Sequence, residues 1–288
     1  MIGRRRVVLL LQGPRSPFFA HLADALSEQG ARVERVLFCP GDALFWRGRP
    51  ALRFRDRPEA WPAAIRTILA RTGATDILGL GDGRFWHEEA FAAAREAGVA
   101  VHVLEQGYLR PGWLTLERDA LGAWRPDPAD PAADGPAPEA PPPRASTLAW
   151  AAMDAAWDLA NIALGPFFYP HFRTHALHHP VREWAGLAAR RATAPWRRAA
   201  RLRVEAEIAA RRAPIWLFAL QLETDFQIRR AGPPGGLPAA LADAACAFAR
   251  AAPAGARLVV KPHPLDPGLT PWRRIAEQAA PGRVLWLE

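Results

Sequence analysis

Short apolar runs alternate with helix-periodic segments along this chain, and that alternation constrains its fold more than any other feature. Residues 5–11 (RVVLLLQ) read as a buried strand closed by the turn signal Gly13-Pro14. Residues 17–29 place Phe18, Phe19, Leu22 and Leu26 on one side of a helix that Gly30 closes. Strands follow at 32–38, 75–80 and 99–105, with helices near 59–71 and 86–97. Such alternation implies βαβ units and a parallel sheet, so a first lobe over 1–125 reads as doubly wound. The pattern resumes over 213–288, with strands from 214, at 257–261 and at 283–287 and helices near 237–251 and 271–279. A doubly wound lobe holds about five or six strands. This second lobe is therefore expected to be incomplete at its C-terminal side.

The 288 residues leave room for two domains and a connection. Residues 126–146 are rich in Pro, Ala and Asp and read as a loop or linker. A helical bridging segment fills 147–212. Its first part, TLAWAAMDAAWDLANIALG, is apolar at helical spacing with Asp154 and Asp158 interrupting. Two readings are open for it: a helix packed on the protein, or one resting on a bilayer through a Trp150, Met153, Trp157 face.

The net charge of +8 comes almost wholly from arginine, since Lys261 is the one lysine in the chain. That bias belongs to the whole composition, so the charge favours anionic ligands or an anionic membrane surface without indicating nucleic acid. The aromatic residues lie in apolar faces and not along a basic stripe, which argues against a nucleic-acid partner. Cys39 and Cys246 lack metal or redox spacing and read as buried thiols in a reduced compartment. The apolar run near the start is too short for a secretory signal, and no window offers about 18 uninterrupted apolar residues for a membrane span. A cytoplasmic location is expected. His171, His175, His178 and His179 lack a matching carboxylate or cysteine, and Pro170 and Pro180 interrupt any shared helix, so no metal is expected.

Open parallel sheets bind ligands beyond the carboxyl ends of their strands. The notable polar loops fall there: Gln12-Gly13-Pro14, Gly41-Asp42, Gly81-Asp82-Gly83-Arg84 with His87, Glu105-Gln106-Gly107-Tyr108 with Arg110, Gln221 to Asp225, and Lys261-Pro262-His263-Pro264. Together they are expected to line a cleft between two lobes. Gly13, Gly41, Gly81 and Gly107 suit tight turns and close backbone approach to a phosphate or sugar. His263 beside Lys261 suits the stabilisation of a nucleotide phosphate as charge develops on it. Glu105 suits a general base or carboxylate nucleophile. Asp82 and Arg84 suit the hydroxyls and carboxylate of a sugar. Plainer roles stay open: Asp82 as a helix cap, Arg84 paired with Glu88, Glu105 solvated at a strand end, and a structural turn at His263.

The segments LLLQGPRSPFFAHLADALSEQGARVERVLFCPGD, LGLGDGRFWHEEAFAAAREAGVAVHVLEQGYLRPGWLTLE, ALQLETDFQI and LVVKPHPLD resemble, in order and spacing, the capsular polysaccharide synthesis proteins of the KpsS type, a retaining β-Kdo transferase family. The resemblance implies two Rossmann-like lobes in a GT-B-like arrangement. It implies transfer of Kdo from CMP-Kdo to a phosphatidylglycerol-type lipid acceptor, starting the linker of a capsule chain, with no cofactor and with a location peripheral at the inner membrane. By position, His263 and Pro264 match a CMP-phosphate element with Lys261 beside it. Gln221 and Asp225 match a Gln-x-x-x-Asp element, Asp82, Arg84 and His87 a Gly-Asp-x-Arg element, and Glu105, Gly107, Tyr108 and Arg110 an acidic-Gly-Tyr-x-Arg element. Gln106 stands where related Kdo transferases carry a second carboxylate, which leaves Glu105 to serve. Family members run on for about a hundred residues more. A non-catalytic partner of other capsule synthesis and export proteins is the alternative, and a sugar-nucleotide epimerase a third reading.

Overall fold

The computed structural model describes residues 5–106, 113–121 and 147–288. It divides into two units, residues 1–175 and 176–288. Gly107, Tyr108 and Arg110, expected at the site, lie outside the described residues.

In the first unit, β1 (Val7–Leu10), β2 (Arg32–Leu37), β3 (Leu52–Arg53), β4 (Asp76–Leu80), β5 (Ala100–Gln106) and β6 (Leu114–Arg118) form one sheet in the order β3-β2-β1-β4-β5-β6. All neighbours pair in parallel except β5 and β6, which are antiparallel with Glu105 opposite Thr115. The doubly wound parallel reading therefore holds for five strands, and β6 adds an antiparallel edge. Every residue of β1 is buried, as expected of an interior strand covered on both faces. The strand order reverses between β1 and β4, which makes the carboxyl ends of those two strands the topological switch point.

Helices α1 (Phe18–Glu28), α2 (Pro40–Trp46), α3 (Trp61–Thr72) and α4 (Phe85–Glu96) connect the strands. The expected Gly41-Asp42 loop is instead the first turn of α2, with Pro40 at its start and Asp42 in its acidic first turn. Proline presets helical φ there and a carboxylate favours the helix N-terminus, so residues that also signal turns here begin a helix. A cluster of Phe38, Phe54, Trp61 and Trp86 rings, with centroids 4.9 to 6.5 Å apart, joins β2 to α3 and α4. The Trp61 indole N–H donates to the Trp86 carbonyl at 2.8 Å, which anchors the start of α4.

Helix α5 (Thr147–Phe168) packs on α2. A bilayer face through Trp150, Met153 and Trp157 is not available, because Trp157 is buried under the Gly41 backbone. The large apolar residues that α5 leaves exposed are Leu148, Trp150, Leu159, Ile162, Leu164, Phe167 and Phe168. Asn161 Oδ1 accepts the Gly41 N–H at 2.8 Å and Asp158 pairs with Arg15, so these two polar residues of α5 face the protein, while Asp154 is exposed.

The second unit begins with α6 (Pro180–Ala192) and α7 (Ala194–Ala210), separated at Thr193. Its sheet is β7 (Ile215–Ala219), β8 (Arg257–Lys261) and β9 (Val284–Trp286), all parallel, in the order β7-β8-β9. Helices α8 (Phe226–Ala231), α9 (Gly236–Ala251) and α10 (Trp272–Ala279) complete it. Leu237, Leu241, Ala245 and Phe248 of α9 recur at helical spacing and pack with Val260, Trp272 and Ala276. Among the described residues, no helix is long and apolar enough to cross a membrane.

Candidate functional site

Directly beyond β1, at the switch point of the first unit, Gln12 is almost wholly buried, at 1% exposure. Its side-chain Nε2 donates to both oxygens of Asp42, at 3.2 and 3.3 Å. Its Oε1 accepts from Nη1 of Arg84 at 3.0 Å. Asp42 Oδ2 also accepts the Phe38 N–H at 3.1 Å. Three separate loops and turns thus meet in one chain, Arg84 to Gln12 to Asp42.

The orientation of Gln12 is dictated by its neighbours. A carboxylate only accepts and a guanidinium only donates, so the carboxamide must offer its nitrogen to Asp42 and its oxygen to Arg84. Burial pulls the Arg84 guanidinium down to about 10, with Asp42 acting against that shift. Arg35 of β2 is buried as well and is also pulled down to about 10 by desolvation, with the Asp42 charge opposing. Its guanidinium lies over the rings of Phe19 and Trp46 at 4.9 and 5.2 Å. Two desolvated guanidinium groups therefore share the field of the Asp42 carboxylate, which favours an anion at this place.

His87 is fully buried, and its Nδ1 lies 2.7 Å from the Gly81 carbonyl oxygen. The carbonyl can only accept, so the proton is on Nδ1. Desolvation and the Arg84 charge lower the His87 pKa to about 3. His87 is thus a neutral strut for the loop and not an acid or base near neutral pH. Gly81 has φ +72°, a left-handed conformation that glycine adopts without strain. Asp82 is buried, and its Oδ2 accepts the Leu121 N–H at 3.1 Å. It does not cap α4, whose N-cap residue is Arg84.

Glu105 is half-buried near the end of β5. The Gly81 N–H donates to the Leu104 carbonyl at 2.8 Å, so Glu105 follows directly on the bond that ties its strand to the Gly81–Arg84 loop. Gln106, opposite Leu114, is exposed. Gly13 and Gly41 have a different use from the expected one: an added Cβ would overlap the Phe19 ring at Gly13 and the Trp157 indole at Gly41. Both glycines admit the protein's own aromatic side chains.

In the second unit, Lys261 ends β8 and is exposed, and its carbonyl accepts the Leu220 N–H at 2.8 Å. His263 is half-buried, and its Nδ1 accepts the Leu265 N–H at 3.1 Å. The neutral ring then carries its proton on Nε2 as a donor. Asp266 is buried, accepts the Gly268 N–H at 3.0 Å and closes the turn through its own N–H to the His263 carbonyl. Pro264 and Gln221 are exposed. Asp225 caps α8, its Oδ1 accepting the Gln227 N–H at 2.9 Å.

Arg15 and Arg35 are functional candidates that sequence reasoning missed. Arg15 follows the Gln12-Gly13-Pro14 loop, and its guanidinium stacks 4.3 Å over Trp157 while pairing with Asp158 at 3.3 Å. Its place after a strand was a usable signal. Arg35 carried none, because a charged residue in RVERVL reads as a solvated face. Among the described residues, no three His, Cys, Asp or Glu side chains gather as a metal site.

Residues 75–284, which include the Gly81–Arg84 loop, Glu105 and His263, match a family described as capsule polysaccharide biosynthesis protein. The chain belongs to that family. It is 29% identical over 272 residues to the capsule polysaccharide export protein KpsS of Escherichia coli, covering 90% of this chain and 68% of that protein. It is 28% identical over 282 residues to the capsule polysaccharide modification protein LipB of Neisseria meningitidis serogroup B, covering 93% of this chain and 67% of that one. A solved UDP-GlcNAc 2-epimerase from Neisseria meningitidis aligns over 98% of this chain and 72% of its own, at 12% identity and a TM-score of 0.29, too low to bear on fold or function. Membership of the family places the chain in capsule polysaccharide biosynthesis.

Proposed function

We propose that the chain is a retaining glycosyltransferase that moves Kdo from CMP-Kdo to a phosphatidylglycerol-type lipid, starting the linker of a capsular polysaccharide. The observation that carries the reading is the Arg84–Gln12–Asp42 chain, with Gln12 and Asp42 buried and Arg84 half-buried, at the switch point of a parallel sheet, within a capsule biosynthesis family. A guanidinium held in place by a carboxamide is pre-organised for the carboxylate of an acidic sugar, which it can bind through two parallel hydrogen bonds.

In this reading Lys261, His263 and Pro264, with Gln221 and Asp225, take the nucleotide phosphate of the donor. The Nε2–H of His263 and the Lys261 ammonium then stabilise charge on the departing CMP. Gln12, Gly13, Asp42, Arg84 and His87 shape and orient the sugar side. Asp82 and Glu105 supply the carboxylates, Glu105 as base or nucleophile. Gln106, Tyr108 and Arg110 belong to the acceptor side. The protein acts at the inner-membrane surface with other capsule synthesis and export proteins.

The test is mass spectrometry of a reaction with CMP-Kdo generated in situ and a short-chain phosphatidylglycerol. A product heavier by one Kdo residue supports the reading. Its absence with folded protein, in this chain and in a longer one carrying any downstream coding sequence, rejects it. A second reading, a non-catalytic partner in capsule assembly, draws on Gln106, an amide that cannot act as base or nucleophile, and on the export role in the name of the E. coli relative. It requires stable co-purification with other capsule proteins and no donor turnover.

A further inference from the structure

Between α2 and α5 of the first unit lies a groove of about 270 Å³ that the proposed chemistry does not use. Its apolar side is Leu44 of α2 with Leu164 and Phe168 of α5, all substantially exposed, and Phe167 beside it is 80% exposed. Its other side carries Arg53, Arg55 and Tyr169. Both arginines are exposed, and neither forms an ion pair with a described residue. The Arg55 guanidinium lies 5.6 Å from the centroid of the Tyr169 ring. Tyr169 itself is buried, at 5% exposure, yet its hydroxyl has no hydrogen-bond partner among the described residues. An orphaned buried hydroxyl is destabilising unless a ligand satisfies it. The Asp42 carboxylate near this region is already engaged by Gln12 and the Phe38 N–H.

We propose that this groove docks an anionic phospholipid of a bilayer surface, its phosphate meeting Arg53, Arg55 and the Tyr169 hydroxyl and its hydrocarbon lying on Leu44, Leu164 and Phe168. The combination selects the occupant. A soluble phosphate compound would satisfy the arginines but leave the leucines and phenylalanines in water. A second copy in a two-fold contact centred on the groove would bring Arg53 and Arg55 near their own equivalents, a like-charge juxtaposition. A bilayer of anionic lipid matches the cationic edge and accepts the aromatic side chains at its interface. Docking here is told apart from binding of the proposed acceptor by Arg53 and Arg55, which take no part in the proposed transfer, so R53Q/R55Q should lower vesicle partition without abolishing transfer to a short-chain acceptor.

The experiment is vesicle co-sedimentation of the full chain, with phosphatidylcholine alone and with phosphatidylcholine containing phosphatidylglycerol. Partition into the anionic vesicles is expected, weakening as salt rises. The exposed double variant R53Q/R55Q should lower that partition about 25-fold, each arginine near an anionic surface being worth about fivefold. Y169F should lower it further while its melting temperature stays equal to or above that of the parent. Equal partition into neutral vesicles, or no effect of R53Q/R55Q, overturns the proposal. So does a dimer, seen by light scattering without lipid, that L164E dissociates, since a second copy then occupies the groove. Because the net charge of +8 already draws the chain to anionic vesicles in a salt-dependent way, the control R198Q/R203Q, two exposed arginines outside the groove, should lose far less partition, and an equal loss in both double variants overturns the proposal. Y169F is read in place of R53Q/R55Q if the latter fails to fold.

Discussion

The side-chain nitrogen of Gln12 lies 3.2 and 3.3 Å from the two carboxylate oxygens of Asp42, and this pair holds the switch point of the first unit together. The same carboxamide accepts from Arg84, so one neutral residue separates a buried carboxylate from a guanidinium and satisfies both. Replacing Gln12 by Leu leaves each without that partner. The expected result is a loss of about 2–4 kcal/mol in denaturant unfolding of the first unit, at the upper end for hydrogen bonds to charged groups. Gln12→Glu keeps an acceptor for Arg84 but sets a second buried carboxylate against Asp42, so it should cost as much at neutral pH and become milder in mild acid, where one of the two carboxyls takes up a proton.

Arg84 is the anion-binding group that the proposed function depends on most. Arg84→Lys keeps the charge but loses the planar fork, and should raise the KM for donor more than it lowers kcat. Arg84→Ala should cost about 100-fold or more in kcat/KM. A donor KM unchanged in Arg84→Lys would remove the sugar carboxylate from this residue.

His263→Ala should lower kcat/KM for CMP-Kdo by about 100-fold or more with no change in melting temperature, since the ring is a donor to developing phosphate charge and only half-buried. His263→Gln, which can present an N–H, should recover part of the rate. An unchanged rate in His263→Ala would sink the assigned role.

Acid should destabilise the first unit in two stages. The folded-state pKa of His87 is lowered to about 3, so the unfolded chain takes up the proton first as pH falls. Stability is fully present above the unfolded value of about 6.5 and falls by up to about 1.4 kcal/mol per pH unit below it. Asp76, though partly desolvated, is held below the ordinary carboxylate range by its hydrogen bonds from Arg6, Thr75 and His102. Its contribution is present above about pH 4 and is lost as pH falls further. His87→Asn should flatten the first stage and Asp76→Asn the second, read from urea midpoints across the acid range.

Gly41→Ala tests whether that glycine serves packing. Its added methyl would overlap the Trp157 indole, so α5 must shift on α2 at a cost of about 1–3 kcal/mol. Faster proteolysis within α5 and a lower melting temperature are expected, without a specific effect on donor binding.

Much of the architecture is legible in the chain because it depends on local periodicity. RVVLLLQ is a buried strand wherever it lies, and the segments 17–29 and 237–251 carry their helical faces in their own spacing. The placement of polar loops at strand ends follows from the same alternation, and it locates Gln12 and Arg84 on one rim. Short elements are harder. The seven residues of α2 begin with Pro-Gly-Asp, which signals a turn as strongly as a helix start, and tertiary packing against α5 decides between them. The side on which Trp157 lies stays open in the sequence, because a helix apolar on most sides does not declare which side is covered.

By itself, then, the sequence determined the alternating α/β character, the loops that carry chemistry and the kinship with capsule biosynthesis proteins. That Arg84 bonds to Gln12 across 72 positions, that Arg35 is buried near Asp42, and that His87 is a neutral strut emerge with the folded chain. The physical reason is range. Backbone periodicity is set within a few neighbouring residues, whereas burial, charge and hydrogen-bond partnership depend on which distant segments the sheet brings together.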